Sequence, residues 1–281
     1  RSRTLRADRV RAQVYLPRDP APWTPEAALR ATAARVRRQL ERQRDALRWS
    51  APGPDGERLD LDAWVRHRGE SAAAHGPEAA VWQRRVRHQR DLATLLMADL
   101  SMSTDAHAND RQRVIDVIRE ALYVFGEALA GSGDPFAVYG FSSLRRQLRL
   151  HALKPFNQRW GPTVLPRLGA LKPGYYTRMG AALRASTRRL QVRPERKRLL
   201  LLLTDGKPHD VDGYDSAWGL EDTRQAVLEA RRAGLLPFAL SIDAEAGETL
   251  PRLFGDAGWA AVRRPEELAT RLATLHARLA R

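Results

Sequence analysis

The stretch that decides the fold is Leu92-Ala93-Thr94-Leu95-Leu96-Met97-Ala98-Asp99-Leu100-Ser101-Met102-Ser103-Thr104-Asp105. It opens as an apolar run from Leu92 to Ala98. It closes on a carboxylate followed by alternating hydroxyls at Asp99, Ser101 and Ser103. A short apolar run closed by turn-forming residues reads as a buried strand of a parallel sheet. Such sheets bind ligands beyond the carboxyl ends of their strands. Asp99, Ser101 and Ser103 therefore stand where a ligand would sit. Their oxygens suit Mg2+, Ca2+ or Mn2+ rather than zinc or copper.

A second apolar run, Leu199 to Thr204, ends alike in Asp205-Gly206. Adjacent parallel strands would bring Asp99 and Asp205 together, and two close carboxylates repel unless a cation or a proton lies between them. A third piece, Tyr175-Tyr176-Thr177-Arg178-Met179-Gly180, reads as a loop entering a helix, with a hydroxyl at Thr177. These pieces resemble the metal-ion-dependent adhesion site of a von Willebrand factor A domain. The resemblance is carried by Asp99-Leu100-Ser101-Met102-Ser103, by Thr177 with Gly180 three residues on, and by Thr204-Asp205-Gly206. It implies one Mg2+ (or Mn2+ or Ca2+) held by Asp99, Ser101, Ser103, Thr177 and Asp205. One coordination position would stay open for a partner's Asp or Glu.

Outward from this centre the pattern alternates strand and helix. A helix is expected over about 110–130, with Val114, Val117, Ile118, Leu122 and Phe125 on one face. A strand follows over 136–141, with a hairpin partner over 145–153. Then come a loop and short helix over 156–171, a helix over 180–192, a strand over 197–204 and a helix over 221–233. A strand over 235–242, short elements over 248–254 and 259–262, and a final helix over 265–281 complete the series. Strands alternating with helices predict an α/β fold, a Rossmann-like and mainly parallel sheet with helices on both faces.

Before residue 91 the pattern changes. Thr24-Pro25 opens a helix that reaches about Trp49, with Leu29, Ala33, Val36, Leu40 and Leu47 at helical spacing. A break over 50–56 precedes a short helix from Asp60 to Gly69, and residues 78–90 alternate like an edge strand or extended arm. The expected division is a basic N-terminal extension over 1–90 and a von Willebrand factor A domain over 91–281.

Composition sets bounds. The chain has 281 residues, 43% of them hydrophobic, and no cysteine, which excludes disulfides and thiolate metal sites. No apolar run approaches the ~20 residues of a membrane span, and no signal peptide is visible, so a cytoplasmic location is expected. The chain begins at Arg1 rather than Met, as a fragment of a longer protein or a processed chain would. Net charge is +15, and residues 1–90 carry 20 Arg against 11 Asp or Glu. That charge would suit nucleic acid, anionic lipid or an acidic protein, or it reflects Arg replacing Lys through genomic base composition. Without aromatic-interleaved basic motifs or a helix-turn-helix pattern, nucleic-acid binding is not expected.

Competing chemistries lack their parts. Gly206-Lys207 has no Gly at the spacing a phosphate-binding loop needs, and no glycines follow the first strand as a dinucleotide site requires. Ser101 stands outside any Gly-x-Ser-x-Gly elbow. His107 and His209 read as solvated loop histidines. Catalysis is not expected.

The resemblance narrows to the NorD/CbbO family of nitric oxide reductase and rubisco activation proteins. It rests on Leu199 to Arg231, above all Leu203-Thr204-Asp205-Gly206-Lys207-Pro208-His209-Asp210 and Gly219-Leu220-Glu221-Asp222-Thr223-Arg224. Arg90-Asp91-Leu92, Phe141-Ser142-Ser143, Pro173 to Gly180 and Leu253-Phe254-Gly255 also match, while Asp215-Ser216-Ala217-Trp218 departs. The family implies a non-enzymatic adaptor that works with a MoxR-type AAA+ ATPase to activate a target metalloenzyme. Nitric oxide reductase is the first target and rubisco the second. A metal-dependent binding module without a motor, or a chelatase subunit, are the alternatives. The turn Asp210-Val211-Asp212 and the helix over 221–233 are expected to flank the partner-facing side, with the metal-site side chains at loop tips.

Overall fold

The computed structural model describes residues 10–16, 21–45, 47–69, 79–87, 91–108, 112–205, 208–211, 214, 216–242, 249–262 and 267. The expected helix over 265–281 lies outside these residues apart from Glu267, as do Gly206 and Asp212. The chain forms two compact units, residues 1–40 with 90–281, and residues 41–89.

The larger unit is built on a seven-stranded sheet in the order β1-β8-β7-β6-β9-β10-β11. Its strands are β1 (Arg11–Tyr15), β6 (Leu92–Asp99), β7 (Phe136–Leu144), β8 (Gln147–Lys154), β9 (Lys197–Thr204), β10 (Leu236–Ser241) and β11 (Trp259–Ala261). Neighbours from β7 through β6, β9 and β10 to β11 run parallel. β8 is antiparallel to β7, and β1 is parallel to β8. Structural neighbours described below share this mixed α/β arrangement.

The apolar runs are continuous because the central strands are covered on both faces. Along β6, Leu92, Leu96 and Ala98 join one core with α1 (Ala27–Asp45) and α3 (Val114–Ser132). The alternate residues Ala93, Leu95 and Met97 join a second core with α5 (Met179–Gln191), α6 (Ser216–Arg232) and α7 (Leu250–Phe254). On β9, Leu201 and Leu203 face the first core, and Leu200 and Leu202 the second. A short α4 spans Leu165–Gly169.

The first forty residues contribute to this unit. β1 adds a strand at one edge, and Leu29, Ala33, Val36 and Leu40 of α1 enter the first core. β1 has no readable period because its residues are mostly exposed. Its place comes from pairing with β8, with Tyr15 stacked on His151 at 5.8 Å and Arg149 over the Tyr15 ring at 4.7 Å.

The smaller unit carries two short antiparallel pairs and α2 (Leu61–Gly69). β2 (Leu47–Trp49) pairs with β5 (Arg85–Arg87), and β3 (Arg58–Leu59) with β4 (Trp82–Gln83). The helix expected to run to Trp49 thus stops at Asp45, because cross-strand pairing claims Leu47–Trp49. Trp49 is flanked by the guanidiniums of Arg58 and Arg85, at 5.4 and 5.3 Å. Helix α6 begins five residues before the expected Glu221. Gly219 reads as a breaker, yet it is the residue that lets Pro208 pack there: a Cβ would lie 2.9 Å from the Pro208 carbonyl oxygen.

Candidate metal centre

β6 and β9 lie side by side, with Ala98 opposite Leu203. The chain leaves β6 for β7 on one side and later returns to β9 on the other, so the strand order reverses at this point. Such a switch point opens a crevice beyond the carboxyl ends of the strands. Asp99 and Asp205 sit at that crevice because the two apolar runs end in register.

The five expected residues are drawn into one hydrogen-bond network. Asp99 is 1% exposed. Its Oδ1 accepts the Ser101 N–H at 2.9 Å, and the Thr177 hydroxyl donates to both carboxylate oxygens at 3.3 and 3.2 Å. The Ser101 and Ser103 hydroxyl oxygens lie 2.9 Å apart, and Ser103 donates to Asp205 Oδ1 at 3.2 Å. Ser101, Thr177 and Asp205 are buried, whereas Ser103 and its neighbour Met102 are exposed. The network is therefore closed on the protein side and open at Ser103. Ser101 and Thr177, expected at loop tips, are instead buried, and the short 3-10 turn Met102–Asp105 is tied to the Thr177 loop by the Met102 N–H donating to the Tyr175 carbonyl.

Burial pushes the Asp99 carboxyl up to about 7, and the nearby Asp205 carboxylate adds to the rise. Hydrogen bonds from Ser101 and Thr204 act in the opposite direction without cancelling it. A buried carboxylate beside a second one requires a positive charge or a proton. The donors are all hard oxygens, which fits Mg2+, Mn2+ or Ca2+. Among the described residues no cluster of three or more His, Cys, Asp or Glu occurs. A cation here would complete its shell with hydroxyls, water or a partner's oxygen.

The sequence reading missed the residues that hold this network in place. Thr204 donates to Asp99 Oδ2 at 3.1 Å. The Thr177 loop is clamped through its backbone on both sides. Tyr176 exchanges two hydrogen bonds with Ser143, and Thr177 exchanges two with His209. Asp210, expected to face a partner, is turned inward and 1% exposed. It accepts from the Ser143 hydroxyl at 2.7 Å, the Arg145 N–H at 2.9 Å and the Val211 N–H at 2.8 Å. Arg178 approaches it at 3.6 Å. Three unsatisfied donors around one carboxylate outweigh its solvation, which is why this turn carries an inward charge. Only a spatial neighbour could have revealed this, although Ser142-Ser143 and the segment through Asp210 were already conspicuous in sequence.

A second brace joins α5 to α6. Tyr214 donates to Asp222 Oδ2 at 2.6 Å and accepts the Gly180 N–H at 3.2 Å. Arg184 pairs with Asp222 and Glu229, both at 2.7 Å. Gly180 permits this close approach, since a Cβ there would meet Asp222 Oδ2 at 2.1 Å. His107 and His209 are exposed, and His209 gives its backbone to Thr177 and its ring to an edge-on contact with Tyr176 at 5.8 Å.

No protein-family model matches the chain. Curated relatives do. The chain is 48% identical over 270 residues to protein NorD of Stutzerimonas stutzeri, an alignment covering 96% of this chain and 44% of that protein. It is 44% identical over 256 residues to protein NorD of Brucella suis biovar 1, covering 91% and 40%. The chain thus spans about half the length of these relatives or less. Among solved structures it is similar to the PilB minor pilin of Streptococcus sanguinis, with TM-score 0.56 and 15% identity, covering 74% of this chain and 66% of that one. It is also similar to the von Willebrand factor domain of the pilus tip protein Mfa5 of Porphyromonas gingivalis, with TM-score 0.51 and 10% identity, covering 68% and 96%. At these identities the structural neighbours speak to the fold, and the curated relatives to the family. Over the length it spans, the chain is homologous to these NorD proteins, and it has the fold of a von Willebrand factor A domain.

Proposed function

We propose that this chain is the metal-dependent docking domain of a non-enzymatic adaptor. A divalent cation held by Asp99, Ser101, Ser103, Thr177 and Asp205 takes a carboxylate of a partner protein at its open position. The adaptor works with a MoxR-type AAA+ ATPase and activates a target metalloenzyme, nitric oxide reductase by its likeness to NorD. The observation that carries this reading is the convergence of two carboxylates and three hydroxyls at the switch point between β6 and β9, buried except at Ser103. A buried acid pair that favours a shared positive charge supplies the affinity for the cation. The exposed side supplies access for the partner. The chain's own residues position the cation and exclude water from the protein side.

Titration calorimetry with Mg2+ tests the metal. Wild type gives a one-site heat and Asp99→Ala gives none. Equal heats from both proteins sink the metal reading. Co-purification with a MoxR-type ATPase, with Mg2+ and with EDTA, tests the partnership, and retention unaffected by EDTA sinks the metal's part in it.

A further inference from the structure

Beside the metal centre, beyond the end of β7, lies an open groove of about 1140 Å3. It is larger than the ~300–1,000 Å3 usual for small-molecule pockets. Arg145, Arg146, Tyr176, Arg178, Val211 and Trp218 line it, and no Asp or Glu does so among the described residues. Tyr176 and Arg178 flank Thr177 in sequence, so groove and metal centre share one loop.

Arg145 and Arg146 form the turn between Leu144 of β7 and Gln147 of β8. Both are exposed, and among the described residues neither guanidinium has a recorded ion pair. Arg145 has φ 54°, left-handed backbone that ordinarily favours Gly or Asn. The buried Asp210 holds this turn through the Arg145 N–H, which directs that carboxylate to backbone. Val211 is 50% exposed and Trp218 47%, so both give the same groove accessible apolar surface. Unfavourable backbone conformations retained at a surface site point to a use for the side chain they display. The other non-glycine residue with positive φ among the described residues is Tyr175, on the loop shared with the metal centre.

We propose that this groove docks an extended acidic segment of a partner protein. Its carboxylates pair with Arg145 and Arg146, and its apolar side chains lie on Val211 and Trp218. Bidentate guanidinium–carboxylate pairing supplies orientation as well as attraction. A nucleic acid would stack on Trp218 and Tyr176, whereas aliphatic Val211 gains only from an apolar side chain. The groove needs no cation, so its occupancy is separable from the metal centre.

The test is fluorescence anisotropy of a fluorescein-labelled peptide of about 12 residues alternating Glu with Leu, titrated with the 281-residue chain in EDTA. Controls are a Lys-for-Glu peptide and an oligothymidylate of matched charge. Wild type binds the acidic peptide in EDTA and rejects the basic one. Arg145→Glu with Arg146→Glu weakens binding at least tenfold, and Trp218→Ala weakens it severalfold. If the double variant loses its cooperative melt, Arg146→Glu and Trp218→Ala decide. Undiminished binding by the variants, or oligothymidylate binding as tightly with the same losses, overturns the proposal. Mg2+ heats measured on the same variants keep the two readings apart: failure of the groove leaves the metal heat intact, and failure of the metal leaves peptide binding in EDTA intact.

Discussion

At the scale of single residues, Asp99 sets the behaviour of the site. Its carboxyl is raised from 3.8 to about 7, first by burial and then by Asp205. A folded-state value above the unfolded one means that the folded protein binds the extra proton. The stabilisation is full below the unfolded value and is lost as pH rises through about 7. In EDTA, therefore, Asp99→Asn should melt above wild type at pH 8, by roughly 2–4 kcal/mol in stability, and the gap should narrow as pH falls below about 7 and close only below 3.8. Saturating Mg2+ should stabilise wild type at pH 8 and leave Asp99→Asn unmoved. Thermal melts of both proteins in EDTA and Mg2+ check this, and a gap independent of pH would assign the burial of Asp99 to other forces. Ser103 offers the cleaner functional variant, because it is exposed while Ser101 and Thr177 are buried. Ser103→Ala should keep folding stability within ~0.5 kcal/mol while reducing the Mg2+ response and target activation together. Normal activation in a complementation assay would reduce the five residues to a structural cluster. These residues were legible in sequence because each stands directly after an apolar run or before a helix, where backbone geometry alone fixes the end of a strand. Thr204 was legible as part of the motif and Asp210 as part of a partner-facing turn, but the buried contact each one makes was not. Their contacts to Asp99 and Ser143 span 105 and 67 residues, and no local pattern encodes them.

At the scale of elements, residues 208–211, Tyr214 and helices α5 and α6 act as a brace for the Thr177 loop. Asp210→Ala would strip the acceptor from the Ser143 hydroxyl and from the Arg145 and Val211 N–H groups. Buried donors left without a partner cost about 1–3 kcal/mol each. Urea denaturation should show a loss of roughly 2–4 kcal/mol, with Mg2+ affinity reduced although no ligand is changed. A variant that keeps wild-type affinity would show that the Thr177 loop holds its shape unaided. Gly180→Ala should act from the other side, by driving Asp222 away from Tyr214 and Arg184. Overpacking of that kind costs ~1–3 kcal/mol. The strands of the central sheet were readable because their faces are buried on both sides, which makes the apolar runs continuous: β9 falls on 197–204 as its composition predicts. Elements fixed by partners rather than by their own pattern were not. β1 is mostly exposed and exists through β8. Leu47–Trp49 carries helical spacing but is claimed by Arg85–Arg87. Helix α6 runs through Gly219, because a close approach by Pro208 occupies the space of its missing side chain.

At the scale of the whole molecule, the net charge of +15 is spread unevenly, with 20 Arg against 11 acids before residue 91. In the smaller unit, Arg84 and Arg85 are both exposed. Charges of this kind act at the range of the Debye length, about 8 Å at physiological salt, so they govern encounter rather than the final grip on a partner. The proposed metal site and these exposed arginines should therefore separate kinetically. Arg84→Ala with Arg85→Ala should lower the association rate with an acidic ATPase or target enzyme and flatten its dependence on salt. The dissociation rate should stay close to wild type. Ser103→Ala should do the reverse, since the lost contact forms only after docking. Arg85 also lies 5.3 Å from the Trp49 ring centroid, so the double variant's melting curve must match wild type for its rates to be read as charge effects. Surface plasmon resonance across a salt series measures both rate constants. If the arginine variants slow association equally at low and high salt, Arg84 and Arg85 make specific contacts rather than a long-range field. If they raise the dissociation rate, these two residues belong to the docked interface itself.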